Sequence, residues 1–303
     1  MKTFHFITVN YFSAPYIEKL IDSLQSLASD RYRITVVNNS PADVGVAALL
    51  HKYPELTVIE AGGNLGFGGG CNLGIAAVYQ QDPEALIWLI NPDATLAPNA
   101  IDYVDQCLIH HPSLAILGTR IRDGEGQVWF HRGTFNPWLG CIDYYPGQPE
   151  IAADRPTVVP CRWVTGCSMI LNLSQFDHCP GFDSAYFLYY EDNDFCERYF
   201  RQGYRIGVTQ SVLVTHAVSS ISSRNKAAKY QHQTYSRLRF LSLYGTKFAL
   251  GLNLAAILGL IAFSLLRDRD RATGRWQGLR QFIQGVAHNK SEHSHGSKLN
   301  PQS

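Results

Sequence analysis

One carboxylate of the chain lies where open α/β sheets bind their ligands. The apolar sequence LIWLI at residues 86–90 is followed directly by Asn91, Pro92 and Asp93. Such a run is typical of a buried strand, and Pro92 ends its hydrogen bonding, so that Asp93 falls in the loop at the strand's carboxyl end. We expect a ligand-binding role for Asp93 at this edge of the sheet. The alternative is that its side chain only caps the following turn.

A second group of carboxylates opens a predicted helix. Glu191, Asp192 and Asp194 follow a mostly aromatic segment, residues 185–190. Acidic side chains at a helix N-terminus satisfy free amides and the helix dipole, so capping is one interpretation. A single carboxylate is enough for a cap, however, and carboxylates beside an aromatic wall are candidates for general acid–base catalysis.

A histidine and a glycine-rich segment are further candidates. His216 ends a predicted strand before a loop with Ser219, Ser220, Ser222 and Ser223, where a phosphate or metal site is the alternative to a structural histidine. Residues 62–70 contain six glycines in nine positions, which lets backbone approach a ligand closely. This segment follows the third strand and lacks Gly-Lys-Ser/Thr, so it is neither a dinucleotide fingerprint nor a P-loop. We expect it to face a ligand; a merely flexible loop is the alternative.

The elements that position these residues alternate between strand and helix. Apolar patterns predict strands at 3–11, 33–37, 56–60 and 86–90, and helices from Pro15, at 42–52, through about Gln80 and at 98–110. This alternation predicts βαβ units and a parallel sheet. Residues 118–160 are rich in aromatic residues, glycine and proline, and we expect short strands there that form part of an acceptor pocket, unless the aromatic residues are simply core. Further strands are predicted at 163–171, 204–208 and 212–215.

The composition excludes several classes of protein. With 46% hydrophobic and 12% aromatic residues, the 303-residue chain is globular, and its net charge of +1 gives no overall attraction to nucleic acid. The seven cysteines include no Cys-x-x-Cys pair, which argues against a disulfide framework or zinc site and for a reducing compartment. The N-terminal residues have no apolar segment of signal-peptide length, so we expect a cytoplasmic protein.

Taken in order, the motifs resemble those of family 2 glycosyltransferases, in particular the rhamnosyltransferase-like branch. The resemblance covers roughly residues 3–240 and implies a GT-A fold: an α/β domain at 1–225 with a mostly parallel central sheet, divided into a nucleotide-sugar half (1–117) and an acceptor half (118–225). The matching segments are Thr8-Val9-x-Tyr11, Val36-Val37-Asn38-Asn39-Ser40, Asn64-x-Gly66-Phe67-x-Gly69-Gly70-x-Asn72, Asn91-Pro92-Asp93, Gly181-Phe182-Asp183, Glu191-Asp192-x-Asp194 and His216.

The resemblance implies a role for each matching residue. Asp93 stands at the second acid of the family's Asp-x-Asp motif and should bind Mn²⁺ or Mg²⁺, with His216 completing the metal site. Asp192 should be the general base that deprotonates the acceptor hydroxyl, and Glu191 and Asp194 should orient the acceptor or the base. The residues implied in donor binding are Thr8, Asn10, Tyr11, Asn38, Asn39, Asn64, Gly66, Phe67, Gly69, Gly70, Asn72, Asn91 and Asp93.

Two positions depart from the family's pattern. Asn38 and Asn39 stand where the family usually has an aspartate that contacts the nucleotide base, and Asn91 replaces the first acid of Asp-x-Asp. An asparagine can still form hydrogen bonds to a pyrimidine edge, but it lacks the charge.

The resemblance predicts an inverting transferase that moves a sugar from a nucleotide-diphosphate donor to a saccharide or lipid-linked acceptor in cell-surface polysaccharide synthesis. Rhamnose from dTDP-rhamnose is the expected sugar, and UDP-galactofuranose or a UDP-hexose is the alternative donor. A non-catalytic nucleotide-sugar-binding or scaffold protein, with the acids kept as caps, is the alternative from another class. A dehydrogenase is disfavoured because the first predicted βα turn has no glycine.

The C-terminal segment has a different composition. Residues 248–266 form a 19-residue run with one asparagine and no charge, followed by Arg267, Arg269 and Arg271. The length just reaches a membrane span, but the arginines would then lie outside the cytoplasm, against the positive-inside bias. We therefore expect a helical extension at 226–287 that packs on the domain or lies on the inner face of the cell membrane, and a disordered tail at 288–303.

Overall fold

The structure is a computed structural model that describes residues 2–27, 30–145, 156–217 and 225–296, the last eleven of these by backbone alone. The chain divides into two compact units. The first comprises Met1–Phe135, Ile142–Phe187 and Glu191–Ile221, and the second comprises Asn136–Cys141, Leu188–Tyr190 and Ser222–Ser303. Two short segments of the predicted catalytic domain thus belong with the C-terminal helices.

The first half of unit 1 follows the predicted alternation, with element ends that shift by a few residues. Its elements are β1 (Phe4–Asn10), α1 (Ala14–Gln25), β2 (Tyr32–Asn38), α2 (Gly45–Lys52), β3 (Thr57–Glu60), α3 (Gly66–Gln81), β4 (Leu86–Ile90), β5 (Ala94–Leu96) and α4 (Ala100–His110).

The second half contains mostly strands. Its elements are β6 (Leu114–Asp123), β7 (Val128–Phe130), β8 (Arg132–Asn136), β9 (Cys141–Tyr145), β10 (Val158–Pro160), β11 (Ser168–Asn172), α5 (Glu191–Arg201) and β12 (Arg205–His216). Short strands fill the segment for which they were predicted, whereas β6 extends into that segment as far as Asp123. The two strands predicted at 204–208 and 212–215 are one strand, whose register with β6 shifts between Val208 and Val212. Such irregularities bend a strand without ending it.

The central sheet is mixed. Its strand order is β10-β12-β6-β11-β4-β1-β2-β3. The first four strands of the fold, β4-β1-β2-β3, are parallel as predicted, and β6 and β12 are parallel to each other. The prediction of a mostly parallel sheet needs correction at β11. This strand lies antiparallel to both of its neighbours, β4 and β6. The described part of the segment between β6 and β11, residues 124–145 and 156–167, contains short strands and no helical crossover of the kind that joins parallel neighbours.

A fully buried tryptophan fixes the middle of this sheet. Trp88 on β4 stacks on Phe6 of β1, with ring centroids 5.0 Å apart. Its Nε1 donates a hydrogen bond of 2.9 Å to Oγ of Ser168 on β11, and that hydroxyl also accepts from Thr119 of β6 at 2.8 Å. The indole therefore ties β4, β1 and β11 together directly below the loop that carries Asp93.

Unit 2 consists mainly of three helices: α6 (Lys226–Tyr244), α7 (Lys247–Leu265) and α8 (Arg269–Gly296). Its apolar core includes Leu238, Ile257, Ile261, Leu279 and Phe282. Helix α7 matches the charge-free run. Helix α8 extends past residue 288 into the predicted tail, and residues 297–303 lie outside the described residues.

Candidate active site

Three polar side chains lie side by side at the carboxyl ends of parallel strands. Asn10 ends β1, Asn38 ends β2 and Glu60 ends β3, and the strand registers pair Asn10 with Asn38 and Asn38 with Glu60. Asn10 and Asn38 are buried, whereas Glu60 is exposed. This row lies at the edge where α/β sheets bind ligands.

The amide of Asn38 is engaged within the protein. Its Oδ1 accepts from Asn10 Nδ2 at 3.0 Å, and its Nδ2 donates to both carboxylate oxygens of Glu60, at 3.1 and 2.9 Å. Asn10 Nδ2 also lies within hydrogen-bond distance of Ser40 Oγ and Asp43 Oδ2. The exposed carboxylate at this edge is therefore that of Glu60. Sequence reasoning missed Glu60 as a candidate for ligand binding. Its position as the last residue of the predicted third strand could have indicated it, because strand ends of this kind face the ligand edge of the sheet.

Three asparagines of the motifs fix helix α3. Asn39 Nδ2 donates to the carbonyl of Gly66 at 2.8 Å, and Asn64 Oδ1 accepts from the amide of Gly66 at 3.0 Å. Asn72 bonds the backbone of Phe182 twice, donating to its carbonyl at 2.9 Å and accepting from its amide at 2.7 Å. Asn39, Asn64 and Asn72, which we expected to bind the donor, thus hold the protein's own backbone in place. Any contact with a donor would be additional to these hydrogen bonds.

The glycine-rich segment is mostly helix, since α3 begins at Gly66. A Cβ at several of its glycines would overlap the protein itself: 2.0 Å from the Phe187 carbonyl oxygen at Gly66, 2.9 Å from Phe182 Cβ at Gly68 and 2.8 Å from Val9 Cγ1 at Gly70. At Gly69 the near atom, at 2.9 Å, is Cβ of Leu65. Around Gly62 and Gly63, by contrast, no atom lies within 4 Å. Close packing explains Gly66, Gly68 and Gly70 without a ligand.

The remaining donor-binding candidates flank this helix. Thr8 is buried on β1, and its Oγ1 has no hydrogen-bond partner within the described residues; the same holds for Oδ1 of Asn39. Tyr11 is 42% exposed directly after β1. The ring of Phe67 meets that of Phe182 edge-on, at 6.1 Å between centroids.

Asp93 and His216 form a buried pair. His216 ends β12 and lies opposite Ala94 of β5, which places its Nε2 3.1 Å from Oδ1 of Asp93. The side chains are only 8% and 6% exposed, respectively, and Asn91 Nδ2 lies 3.4 Å from the same Nε2. Burial alone would lower the pKa of His216, but neighbouring Cys167 and Asp93 raise it to about 10.

The same pair fits a divalent cation. Two ligand atoms at 3.1 Å match neighbouring positions around an ion with octahedral ligands at about 2.1 Å. Nδ1 of His216 is buried and has no hydrogen-bond partner in the described part of the chain. No group of three or more His, Cys, Asp or Glu residues there could hold a metal. The protein would thus supply two ligands, with the rest from phosphate oxygens and water, as Mg²⁺ sites commonly have. The serine-rich loop at 219–223 lies outside the described residues.

The three acids at the start of α5 differ in their surroundings. Asp192 is partly exposed and accepts hydrogen bonds from the amides of Gly166 at 3.1 Å and Asn193 at 2.8 Å. Glu191 is buried, and its Oε2 has no partner among the described residues. Asp194 is buried and pairs with Arg198 at 3.4 Å, which favours a structural role for Asp194.

Glu191 and Asp192 compete for one proton. Burial, followed by the adjacent charge of Asp192, raises the pKa of Glu191 to about 8. Burial also raises the pKa of Asp192, but the amides of Gly166 and Asn193 stabilise its charged form and oppose that rise. The surroundings therefore favour Glu191 as the neutral member of the pair and Asp192 as the charged one, because only Asp192 has amide donors that stabilise its charge.

One short segment holds both chemical clusters. The amide of Gly166 binds Asp192, and the carbonyl of the next residue, Cys167, accepts from the Asn91 amide at 3.0 Å. The structure therefore brings the Asp93 turn and Asp192 to two consecutive residues, Gly166 and Cys167. Such an arrangement is suited to proton transfer: a partly exposed carboxylate could accept a proton, and a cation, if held by the pair, would offset charge on a leaving phosphate.

Comparisons with known proteins show which family the chain resembles. The sequence model described as Glycosyl transferase family 2 matches residues 5–173. The chain is 29% identical over 253 residues to an N-acetylglucosaminyl-diphospho-decaprenol L-rhamnosyltransferase of Mycobacterium tuberculosis, covering 76% of this chain and 81% of the relative.

Two solved structures share the fold. One is S. aureus TarS 1-349 in complex with UDP-GlcNAc, with a TM-score of 0.55 and 18% identity, covering 94% of this chain and 82% of that one. The other is a Pyrobaculum calidifontis mannosyltransferase in complex with GDP-Man and Mn²⁺, with a TM-score of 0.53 and 12% identity, covering 92% of this chain and 86% of that one. These likenesses confirm the predicted GT-A fold.

Proposed function

The chain belongs to glycosyl transferase family 2, and from that premise we propose that it transfers rhamnose from a nucleotide-diphosphate donor to a lipid-linked saccharide in cell-surface polysaccharide synthesis. The observation that carries the chemistry is the placement of Asp192 and the Asp93 turn on the consecutive residues Gly166 and Cys167. The sugar and the acceptor class rest on the mycobacterial relative, whose name gives both.

The donor's base would lie at the ends of β1, β2 and β3. An exposed carboxylate accepts hydrogen bonds only, and thymine and uracil each have one ring N–H to donate. Glu60 supplies that carboxylate, and Asn38 holds it in place with two hydrogen bonds. This arrangement makes up for the asparagine at the position where the family usually has an aspartate.

The donor's diphosphate would lie at Asp93 and His216. These residues would hold Mn²⁺ or Mg²⁺, which, when bound, offsets the negative charge that develops on the departing nucleoside diphosphate. The solved mannosyltransferase complex with Mn²⁺ supports a divalent ion in this fold.

Asp192 would act on the acceptor. The acceptor hydroxyl gives its proton to Asp192 while its oxygen forms a bond to the anomeric carbon. The bond from that carbon to the diphosphate oxygen breaks, and the nucleoside diphosphate leaves with the electron pair. A single displacement of this kind inverts the anomeric centre. Because the raised pKa of Glu191 favours its neutral form, Glu191 adds no negative charge that would oppose the ionised form of Asp192, which a base requires.

UDP-galactofuranose or a UDP-hexose would use the same machinery, and pocket shape would select among them. A non-catalytic nucleotide-sugar-binding protein is the alternative from another class. We place the enzyme in the cytoplasm at the inner face of the cell membrane, where a lipid-linked acceptor would be presented.

The test measures acceptor-dependent release of nucleoside diphosphate. Purified protein is incubated with dTDP-rhamnose, UDP-galactofuranose or a UDP-hexose, with Mn²⁺, Mg²⁺ or EDTA, and with or without a polyprenyl-diphosphate GlcNAc acceptor. We expect release with dTDP-rhamnose that needs the metal and the acceptor and that is lost in Asp93→Ala. Release with another donor alone would reassign the sugar. Binding of nucleotide sugar without transfer to any acceptor would favour the non-catalytic protein.

A further inference from the structure

Helix α7 has an outer surface without polar side chains. It buries one stripe, formed by Ala249, Asn253, Ile257, Ile261 and Ser264. Leu250 and Leu254 beside this stripe are partly buried. The other large apolar side chains of α7 and of the residue after it are between 44% and 88% exposed: Phe248, Leu252, Leu258, Leu260, Phe263, Leu265 and Leu266. No charge interrupts residues 248–266. A solvated surface helix would carry polar residues on this side, so the surface calls for a partner.

The packing of unit 2 shows that α7 does not cross a membrane alone. Lys226, the first residue of α6, pairs with Asp268, just beyond the end of α7, at 2.7 Å, so the two helices run antiparallel. Helix α8 packs on α6 and runs in the same direction, with Gly274 against Ala227 and Gly278 against Gln231. Arg275 of α8 donates to the Leu260 carbonyl of α7 at 3.2 Å.

A span would therefore carry two polar helices with it. Helix α7 has the length and composition of a span, with a mean hydropathy of 2.2. Helix α6, however, contains Lys226, Lys229, Arg237 and Arg239, and α8 contains several arginines as well. Charged side chains at the centre of a bilayer are costly, and here the packed helices would bring many at once. Unit 2 thus keeps α7 at its surface with one side open.

The charges around the open side identify the partner. Lys247 precedes the apolar surface, and residues 267–271, which alternate arginine and aspartate, follow it. Arg271 pairs with Asp268 at 3.0 Å, so Arg267 and Arg269 are the arginines that would meet lipid. Trp138 is 70% exposed on a segment joined to α7, since Asn253 Nδ2 donates to the Leu139 carbonyl at 3.2 Å. Each of these features matches one part of a bilayer. The apolar side chains match the acyl chains, the cationic ends match anionic head groups, and the tryptophan matches the interface between the two.

We propose that α7 docks unit 2 in the plane of an anionic lipid bilayer, with Phe248, Leu252, Leu258 and Phe263 inserted among the acyl chains and the flanking lysine and arginines at lipid phosphates. The inference deepens the proposed function, on which it rests for the lipid-linked acceptor. The bilayer contact itself follows from unit 2 alone and needs no nucleotide or sugar.

The test is co-sedimentation of the full chain with sucrose-loaded vesicles of phosphatidylcholine, alone or with 30% phosphatidylglycerol. The variant is Leu258→Ser with Phe263→Ser, and the matched control is Val44→Ser with Ile109→Ser, two exposed apolar residues of unit 1. Each inserted side chain contributes about 30-fold to the partition constant. We therefore expect the α7 variant to bind at least 30-fold more weakly, the control to bind like the unchanged protein, and anionic vesicles to be preferred.

Equal binding of the two variants, or no binding of the unchanged protein to either vesicle, would overturn the proposal. Light scattering that shows a dimer disrupted by the α7 variant would assign the surface to a second copy instead. Resistance of the bound protein to extraction at pH 11, with a protease-protected C-terminus, would indicate a span. Rhamnosyl transfer to a water-soluble GlcNAc acceptor separates the two hypotheses, because it should persist in the α7 variant and fail only if the proposed function is wrong.

Discussion

The close packing of Gly66 leads to a quantitative prediction. Gly66 has a φ of +75°, and a Cβ there would lie 2.0 Å from the carbonyl oxygen of Phe187. The left-handed conformation costs a residue with a side chain about 1–2 kcal/mol, and overpacking typically costs about 1–3 kcal/mol. Gly66→Ala should therefore lower the free energy of unfolding by about 2–5 kcal/mol. The nearest obstacle is backbone, which a rotamer change cannot move aside.

Two neighbouring glycines provide matched controls. Gly62 has a φ of +72° but open space around it, so Gly62→Ala should show only the conformational cost, about 1 kcal/mol after the loss of unfolded-state entropy is counted. Gly63 also has open space, and no left-handed φ. Gly63→Ala should thus be neutral or stabilising by about 0.4–1 kcal/mol.

The assay is urea unfolding of the three variants, with nucleotide affinity measured in parallel. We expect the order of stability to be Gly63→Ala, then Gly62→Ala, then Gly66→Ala. A Gly66→Ala protein as stable as Gly63→Ala would refute the packing explanation. Loss of nucleotide affinity in Gly62→Ala and Gly63→Ala, at unchanged stability, would instead show that this segment serves close approach to the donor.

Three further predictions concern the acids. Asp192→Asn should lower kcat by about 10²- to 10⁴-fold with unchanged donor affinity by calorimetry, because it removes the base; loss of donor affinity instead would argue for a donor site. Glu191→Gln should gain stability relative to the unchanged protein as the pH rises from about 5 to 8. Since the pKa of Glu191 is raised from 4.5 to about 8 in the fold, the unfolded chain loses this proton over that range while the folded protein keeps it, so the unchanged protein loses stability as the pH rises; parallel melting temperatures across pH would contradict this. Glu60→Ala should weaken dTDP or UDP binding by about 10- to 100-fold, the value of a hydrogen bond to a charged group. The exposed Glu55, two residues before β3 begins, should be replaceable by alanine without effect.

The sequence predicted the first half of the fold well because its signals are local. Apolar periodicity identified the strands up to β4 and their intervening helices, and Pro92 placed Asp93 beyond the strand end. The pairing of Asp93 with His216 at 3.1 Å joins residues 123 positions apart, and only the motif resemblance pointed to it. No local sequence signal distinguishes a glycine that lies close to a ligand from one that lies close to the Phe187 backbone. The reason for the glycine at position 66 could therefore not be predicted from sequence.

Strand direction was the part of the fold that the alternation of elements could not supply, and it matters for the site. Because β11 is antiparallel to β4, Ser168 at its beginning lies opposite Ile90 at the end of β4. The residues just before β11, Gly166 and Cys167, are thereby delivered to the carboxyl edge of the sheet, where their peptide groups hold Asp192 and Asn91. A parallel strand in this position would present its last residues there and leave 166–167 at the opposite edge. The antiparallel insertion is thus the step in the topology that joins the proposed cation-binding turn to the proposed base.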